Sequence, residues 1–154
     1  MNMRKNILYI DDDPQQFGPF SFDIQSCNEE QPVCAETLNE KSVKVIIKKG
    51  IDIAFIDYDL SGTYGIEVAR KLKEEHEKHG HTIPIHFILL TGKGSENVAK
   101  EVLRSGLFQD YINKGIYAKN EIQRALFYYE NIRRKEEELL NVTKEINKYK
   151  SLVE

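Results

Sequence analysis

The chain has 154 residues, 40% of them hydrophobic and 31% charged, a balance that suits one soluble domain with one core and some exposed helix. Its net charge of −3 gives no general attraction to nucleic acid or to acidic membranes. No apolar run approaches the ~20 residues of a membrane span, and the run that opens in MNMRKNILYI stops at Asp11, short of the ~7–15 residues of a signal-peptide core, so the expected location is the cytoplasm.

Residues 6–10 (NILYI) are almost continuously apolar, which predicts a first strand buried on both faces, followed at once by Asp11-Asp12-Asp13. The next segment, QQFGPFSFDIQSCN, has the length of a helix, but Gly18-Pro19 is expected to make it start late or kink. Residues 33–35 are a weaker second strand. Asn39 is placed to cap a helix running to Lys49, with Gly50 as its stop. Residues 53–56 predict a third strand ending at Asp57. A helix follows over 66–79, with Ile66, Val68, Ala69 and Leu72 on one side and Gly80 after it. Residues 85–90 (IHFILL) are the clearest strand and lead into Thr91-Gly92. Ser95 opens a helix over 95–105 that carries Val98, Val102 and Leu103 and stops at Gly106. Residues 111–112 make a short fifth strand, with Lys114 just beyond it.

Strand and helix alternate five times, and helix-length connections favour parallel strands with both sheet faces covered. In such a doubly wound sheet the functional residues gather beyond the carboxyl ends of the strands. Asp11-Asp12-Asp13, Asp57, Thr91-Gly92 and Lys114 all fall at that edge. Three carboxylates at close range repel one another unless a cation compensates. A small oxygen-seeking ion such as Mg²⁺ suits them, and it would also hold the oxygens of a phosphoryl group. Lys114 and the Thr91 hydroxyl would take the remaining oxygens, and Gly92 allows close backbone approach. That set serves in-line transfer onto a carboxylate. The stretch AFIDYDLSG alone leaves three readings of Asp57 and Asp59 open: a phosphatase pair of the haloacid-dehalogenase type, a metal clamp as in some glycosyltransferases, or a phosphoacceptor with a loosely specified second acid.

Four spaced motifs in order, ILYIDDDP, IDIAFIDYDLSGTYGIEVARKL, PIHFILLTGKG and SGLFQDYINKG, resemble the receiver domain of two-component response regulators over roughly residues 5–130. The resemblance implies a flavodoxin-like five-stranded parallel sheet of order 2-1-3-4-5. It implies that Asp57 is the phosphoacceptor, that Asp12 binds Mg²⁺ directly and Asp11 directly or through water, and that Asp59 offers the metal its backbone carbonyl. Thr91 becomes the switch hydroxyl, Lys114 the phosphate-pairing lysine, Tyr111 the switch aromatic, and Gly65 the glycine of the loop after the phosphoacceptor. The implied partner is a sensor histidine kinase or a phosphotransfer protein. The implied role is that of a phosphoacceptor assisting its own phosphorylation and dephosphorylation, not of an enzyme. Three positions depart from the family pattern: Ser61 and Gly115 stand where proline is usual, and Gly18-Pro19 interrupts the first helix. Asp59 and Lys93, at the mouth of the inferred pocket, are expected to pair over the phosphoryl group and shield it from water. The rival readings are the haloacid-dehalogenase-type phosphatase, whose motif order differs, and a receiver-shaped interaction module that is never phosphorylated.

Residues 119–154 contain neither glycine nor proline. Ala125, Tyr128, Ile132, Leu139, Val142, Ile146, Tyr149 and Val153 step by threes and fours, with Lys135 filling the one longer gap, as in an a/d heptad seam. The expected division is therefore a receiver over 1–130 and a helical extension over 131–154. The extension would pair as a parallel homodimeric coiled coil or lead to a downstream output domain. No direct nucleic-acid or membrane contact is expected. His76, His79 and His81 read as a solvated helix end, His86 as a packed strand residue, Tyr128-Tyr129 as packing, and Cys27 and Cys34 as reduced thiols without a role.

Overall fold

The computed structural model describes residues 5–27, 29–92, 96–114 and 118–153. Five strands, β1 (Ile7–Ile10), β2 (Val33–Ala35), β3 (Ile53–Asp57), β4 (His86–Thr91) and β5 (Asp110–Asn113), form a parallel sheet in the order β2-β1-β3-β4-β5. The connections carry α1 (Phe17–Ser26), α2 (Glu40–Lys49), α3 (Gly65–Lys78) and α4 (Glu96–Arg104), and α5 (Ala118–Val153) follows β5. This is the expected doubly wound topology. Its strand order reverses between β1 and β3, where a crevice opens at the carboxyl ends.

Period-two alternation within each strand builds two cores. Leu8 and Ile10 of β1, Ala54 and Ile56 of β3, and Phe87 and Leu89 of β4 pack against α2, α3 and α4. Ile7, Tyr9, Ile53, Phe55, Ile88 and Leu90 face the other way, onto α1 and α5. Burial on both faces is what a strand of continuous apolar residues requires, and each such side chain contributes about 1.5–3 kcal/mol.

The first helix starts late, as Gly18-Pro19 implied. A short 3-10 turn, Pro14–Gln16, precedes it, capped by Asp13, whose carboxylate accepts from the Gln15 N–H at 3.0 Å. Pro19 then falls in the first turn of α1, where its missing N–H removes no intrahelical bond, so the helix runs on to Ser26. A two-stranded antiparallel ribbon, Asp59–Leu60 with Thr63–Tyr64, was not foreseen. Gly62, at φ 79°, makes its turn.

The reading of His76 as solvated is corrected. It lies four residues after Leu72 on the inner side of α3, is 7% exposed, and sits with Nε2 2.7 Å from the Ile83 carbonyl. Its ring stacks on His81 at 4.4 Å. His86 is buried, with Tyr128 and Tyr129 edge-on to it at 6.1 and 5.3 Å.

Helix α5 has 36 residues and is therefore roughly 54 Å long. Ile122, Ala125, Leu126 and Tyr129 pack on the sheet. Arg124 ties the helix to β5, reaching Asp110 through Nη1 at 2.9 Å and Nη2 at 3.1 Å, and the Tyr111 carbonyl at 3.2 Å. Lower down, buried Lys5 bridges Glu29 and Glu130, and Arg133 lies 3.7 Å from Asp52. The helix is unbroken through residues 130 and 131, and every residue of 141–153 is exposed. No helix among the described residues is long and apolar enough to cross a membrane.

Candidate functional site at the carboxyl edge of the sheet

Two strand ends and one turn build the charged site. β1 delivers Asp11 and Asp12, β3 delivers Asp57 as its last residue, and the turn after β5 delivers Lys114. Carboxylate oxygens of Asp11, Asp12 and Asp57 all lie within 4.8 Å of one another. The Lys114 ammonium bridges two of them, donating to Asp11 Oδ2 at 2.8 Å and to Asp57 Oδ2 at 3.0 Å. Its backbone is pinned as well, because the Lys114 N–H donates to the Thr91 carbonyl at 2.8 Å.

The electrostatics of the aspartates diverge. Burial raises the Asp57 carboxyl above its usual range, and the nearby Asp11 and Asp12 charges add to this against the opposing pull of Lys114. Burial also works to raise Asp11, but hydrogen bonds from Lys114, Tyr9 and the Asp13 N–H outweigh it and hold that carboxyl below its usual range. Burial depresses the Lys114 ammonium, yet its bonds to Asp11 and Asp57 prevail and keep it charged. Hard oxygen donors at this spacing, with one of them destabilised as an anion, fit a small divalent cation.

The described response regulator receiver domain family matches residues 7–127. The chain belongs to this family. The phosphate regulon transcriptional regulatory protein PhoB of Pseudomonas aeruginosa is 33% identical over 111 residues, covering 71% of this chain and 45% of PhoB, so the chain spans less than half of that curated relative. Among solved structures, the receiver domain of AraT from Geobacillus stearothermophilus superposes with a TM-score of 0.68 at 20% identity, over 88% of this chain and 99% of that one. A receiver domain protein from Clostridium thermocellum gives 0.67 at 20% identity, over 84% and 97%. These structures share the fold, and neither the family nor the relatives support the phosphatase reading.

In this receiver Thr91 is fully buried at the end of β4, with its hydroxyl 3.4 Å from the Ile112 carbonyl. Tyr111 is half-buried on β5, and Asp59 is exposed in the ribbon. Lys93, Ser95 and Gly115 lie outside the described residues, and with them the Asp59–Lys93 pair, the predicted cap of α4 and the Gly115 departure. A cavity of about 540 Å³ lies at the opposite, amino-terminal edge beside Lys5, Gly50 and Ile51 and takes no part in the carboxylate cluster.

Two contacts escaped the sequence. Ser61, noted only for replacing a proline, donates its hydroxyl to Asp12 Oδ2 at 3.0 Å and so ties the ribbon to the acidic cluster. Tyr9 donates its hydroxyl to Asp11 Oδ2 at 2.6 Å, and its ring is held by Phe20, stacked at 3.9 Å. The signal was present: an aromatic with a polar tip stands in an otherwise aliphatic strand, two residues before Asp11 and therefore on the same face. Bonds of this kind orient a metal-binding carboxylate, and their loss typically costs 10–100-fold in affinity. Tyr9→Phe, which removes one oxygen and keeps the packing, is expected to weaken Mg²⁺ binding about tenfold in a titration without phosphodonor, with a native circular-dichroism spectrum and a melting temperature lowered by the loss of one hydrogen bond to a buried carboxylate. Wild-type affinity in that variant would show that the hydroxyl only fills space.

Proposed function

We propose that Asp57 accepts a phosphoryl group from the phosphohistidine of a sensor histidine kinase or phosphotransfer protein. The observation that carries this is the meeting of three carboxylates with the Lys114 ammonium at the carboxyl edge of the sheet. An Asp57 carboxylate oxygen attacks phosphorus in line, the P–N bond breaks, and the donor histidine leaves. Lys114, already 3.0 Å from Asp57 Oδ2, pairs with one phosphoryl oxygen, and the Thr91 hydroxyl turns from the Ile112 carbonyl to another. Mg²⁺ is the ion the donors fit. Asp11, Asp12, Asp57 and the Asp59 carbonyl would hold it, and it would neutralise charge on the transferring group. The protein then acts as a phosphoacceptor that assists its own phosphorylation and dephosphorylation rather than as an enzyme with a separate substrate.

The added charge, about −2 at neutral pH, would draw Thr91 inward, and Tyr111 would move with it. Residues 1–130 serve as the receiver body and 131–154 as an extension. That extension pairs with a second copy or leads toward an output domain, in the cytoplasm. Incubation with beryllofluoride or a small phosphodonor and Mg²⁺ is expected to give a stable adduct in the wild type and none in Asp57→Ala. Turnover of a phosphate ester that is abolished by Asp59→Asn would replace this reading with the phosphatase one.

A further inference from the structure

Leu139, Val142, Ile146, Tyr149 and Val153 are each between 50% and 87% exposed, an unusual state for apolar side chains at regular spacing. They occupy alternate a and d positions of a heptad, and the same frame runs upward through Lys135, Ile132 and half-exposed Tyr128. At about 100° per residue, this stripe lies roughly 130° around α5 from the stripe that packs on the sheet, Ile122, Ala125, Leu126 and Tyr129. The exposed seam can therefore be covered while the body-facing contacts stay intact; Ala125, which the heptad spacing also includes, is instead fully buried on the sheet and takes no part in it. A helical stretch of this length is marginal in water on its own, and burying an apolar stripe is the usual source of its stability.

We propose that what covers the seam is the same seam of a second copy, wound in parallel and in register, with Leu139, Ile146 and Val153 at a and Val142 and Tyr149 at d. This rests on the reading of α5 as a pairing helix and adds to it the register and the charge pairs that select the parallel orientation. Charge selects the orientation. In this frame Glu145 is at g and Lys150 at e. A parallel pair sets Glu145 of each copy beside Lys150 of the other, twice by symmetry. An antiparallel pair sets g against g, so that Glu138 and Glu145 would meet glutamates, and e against e. Register is selected by Lys135 at d: in register the two Lys135 side chains share one layer, from which their long stems let both ammoniums reach water, whereas a slip of one heptad would set one against Val142 and the other against Tyr128 and so spoil two layers. Ile146 and Val153 place β-branched side chains at a, as two-stranded parallel coils prefer.

The test uses the full chain with Cys27 and Cys34 replaced by serine, so that one introduced thiol reports. Val142→Cys and Tyr149→Cys are each expected to form a disulfide-linked dimer under mild oxidation, while Lys144→Cys, on the outer face, does not. An antiparallel pair can bring at most one of those two seam positions against its own copy. A cross-link at only one of them, with a dimeric mass by light scattering, overturns the parallel arrangement and leaves pairing in place. A monomeric mass at millimolar protein overturns both. Ile146→Asp is expected to shift the wild-type mass from dimer to monomer and to leave the beryllofluoride adduct on Asp57 unchanged. The adduct assay therefore reports on the phosphoacceptor reading alone.

Discussion

Gly65→Ala is expected to lose about 3–5 kcal/mol in a denaturant melt, above the usual cost of overpacking, and to lose most of its beryllofluoride adduct. A Cβ on Gly65 would stand 2.2 Å from the Asp57 carbonyl oxygen and 2.9 Å from Ile56 Cγ2. The first of these is backbone and cannot rotate away. Gly65 also donates its N–H to the Tyr58 carbonyl at 2.9 Å, which closes the loop after β3 and starts α3. Relief of the clash has to separate α3 from β3, and the atoms pushed are those of the proposed phosphoacceptor itself. A variant that melts like the wild type and keeps its adduct would show that the loop has slack that the close approach denies.

Lys114→Ala is expected to move two readouts in opposite directions. In the metal-free protein the ammonium stands between Asp11 and Asp57 and competes with a cation for the same oxygens. Its removal is expected to tighten Mg²⁺ binding about tenfold. That corresponds to ~1.4 kcal/mol, near the low end of a close charge interaction, as suits a side chain that is 34% exposed and partly screened. The same change removes the cation that pairs with the bound anion, so the non-covalent beryllofluoride adduct is expected to dissociate about a hundredfold faster, from the loss of a charge-assisted contact of about 2.7 kcal/mol. A fall in both affinity and lifetime would mean that Lys114 chiefly shapes the site rather than competing for it.

The body of the fold was legible because each inner strand is buried on both faces and therefore reads as an apolar run that stops at a polar residue. For the same reason the ends of those runs alone place Asp11, Asp12, Asp57 and Lys114 on one edge. What stayed hidden has short range in sequence or none at all. A ribbon of two-residue strands has no period to detect. The Ser61–Asp12 bond joins residues 49 apart and leaves no local trace. His76 keeps the helical spacing of a core residue, but the charged residues around it, Glu74, Glu75, Glu77 and Lys78, mask that spacing.

Arg124 makes α5 a lever. Its guanidinium grips Asp110 and the Tyr111 carbonyl on β5, while the last tie to the body among the described residues, Arg133 with Asp52, lies nine residues further on. Beyond that fulcrum about 20 residues, some 30 Å of rod, swing free of the body. A tilt of about 5° there carries Val153 sideways by roughly 3 Å, about the width of one knob in a helical seam. Motion too small to matter at the sheet thus arrives at the far end as a change in which side chains can interlock.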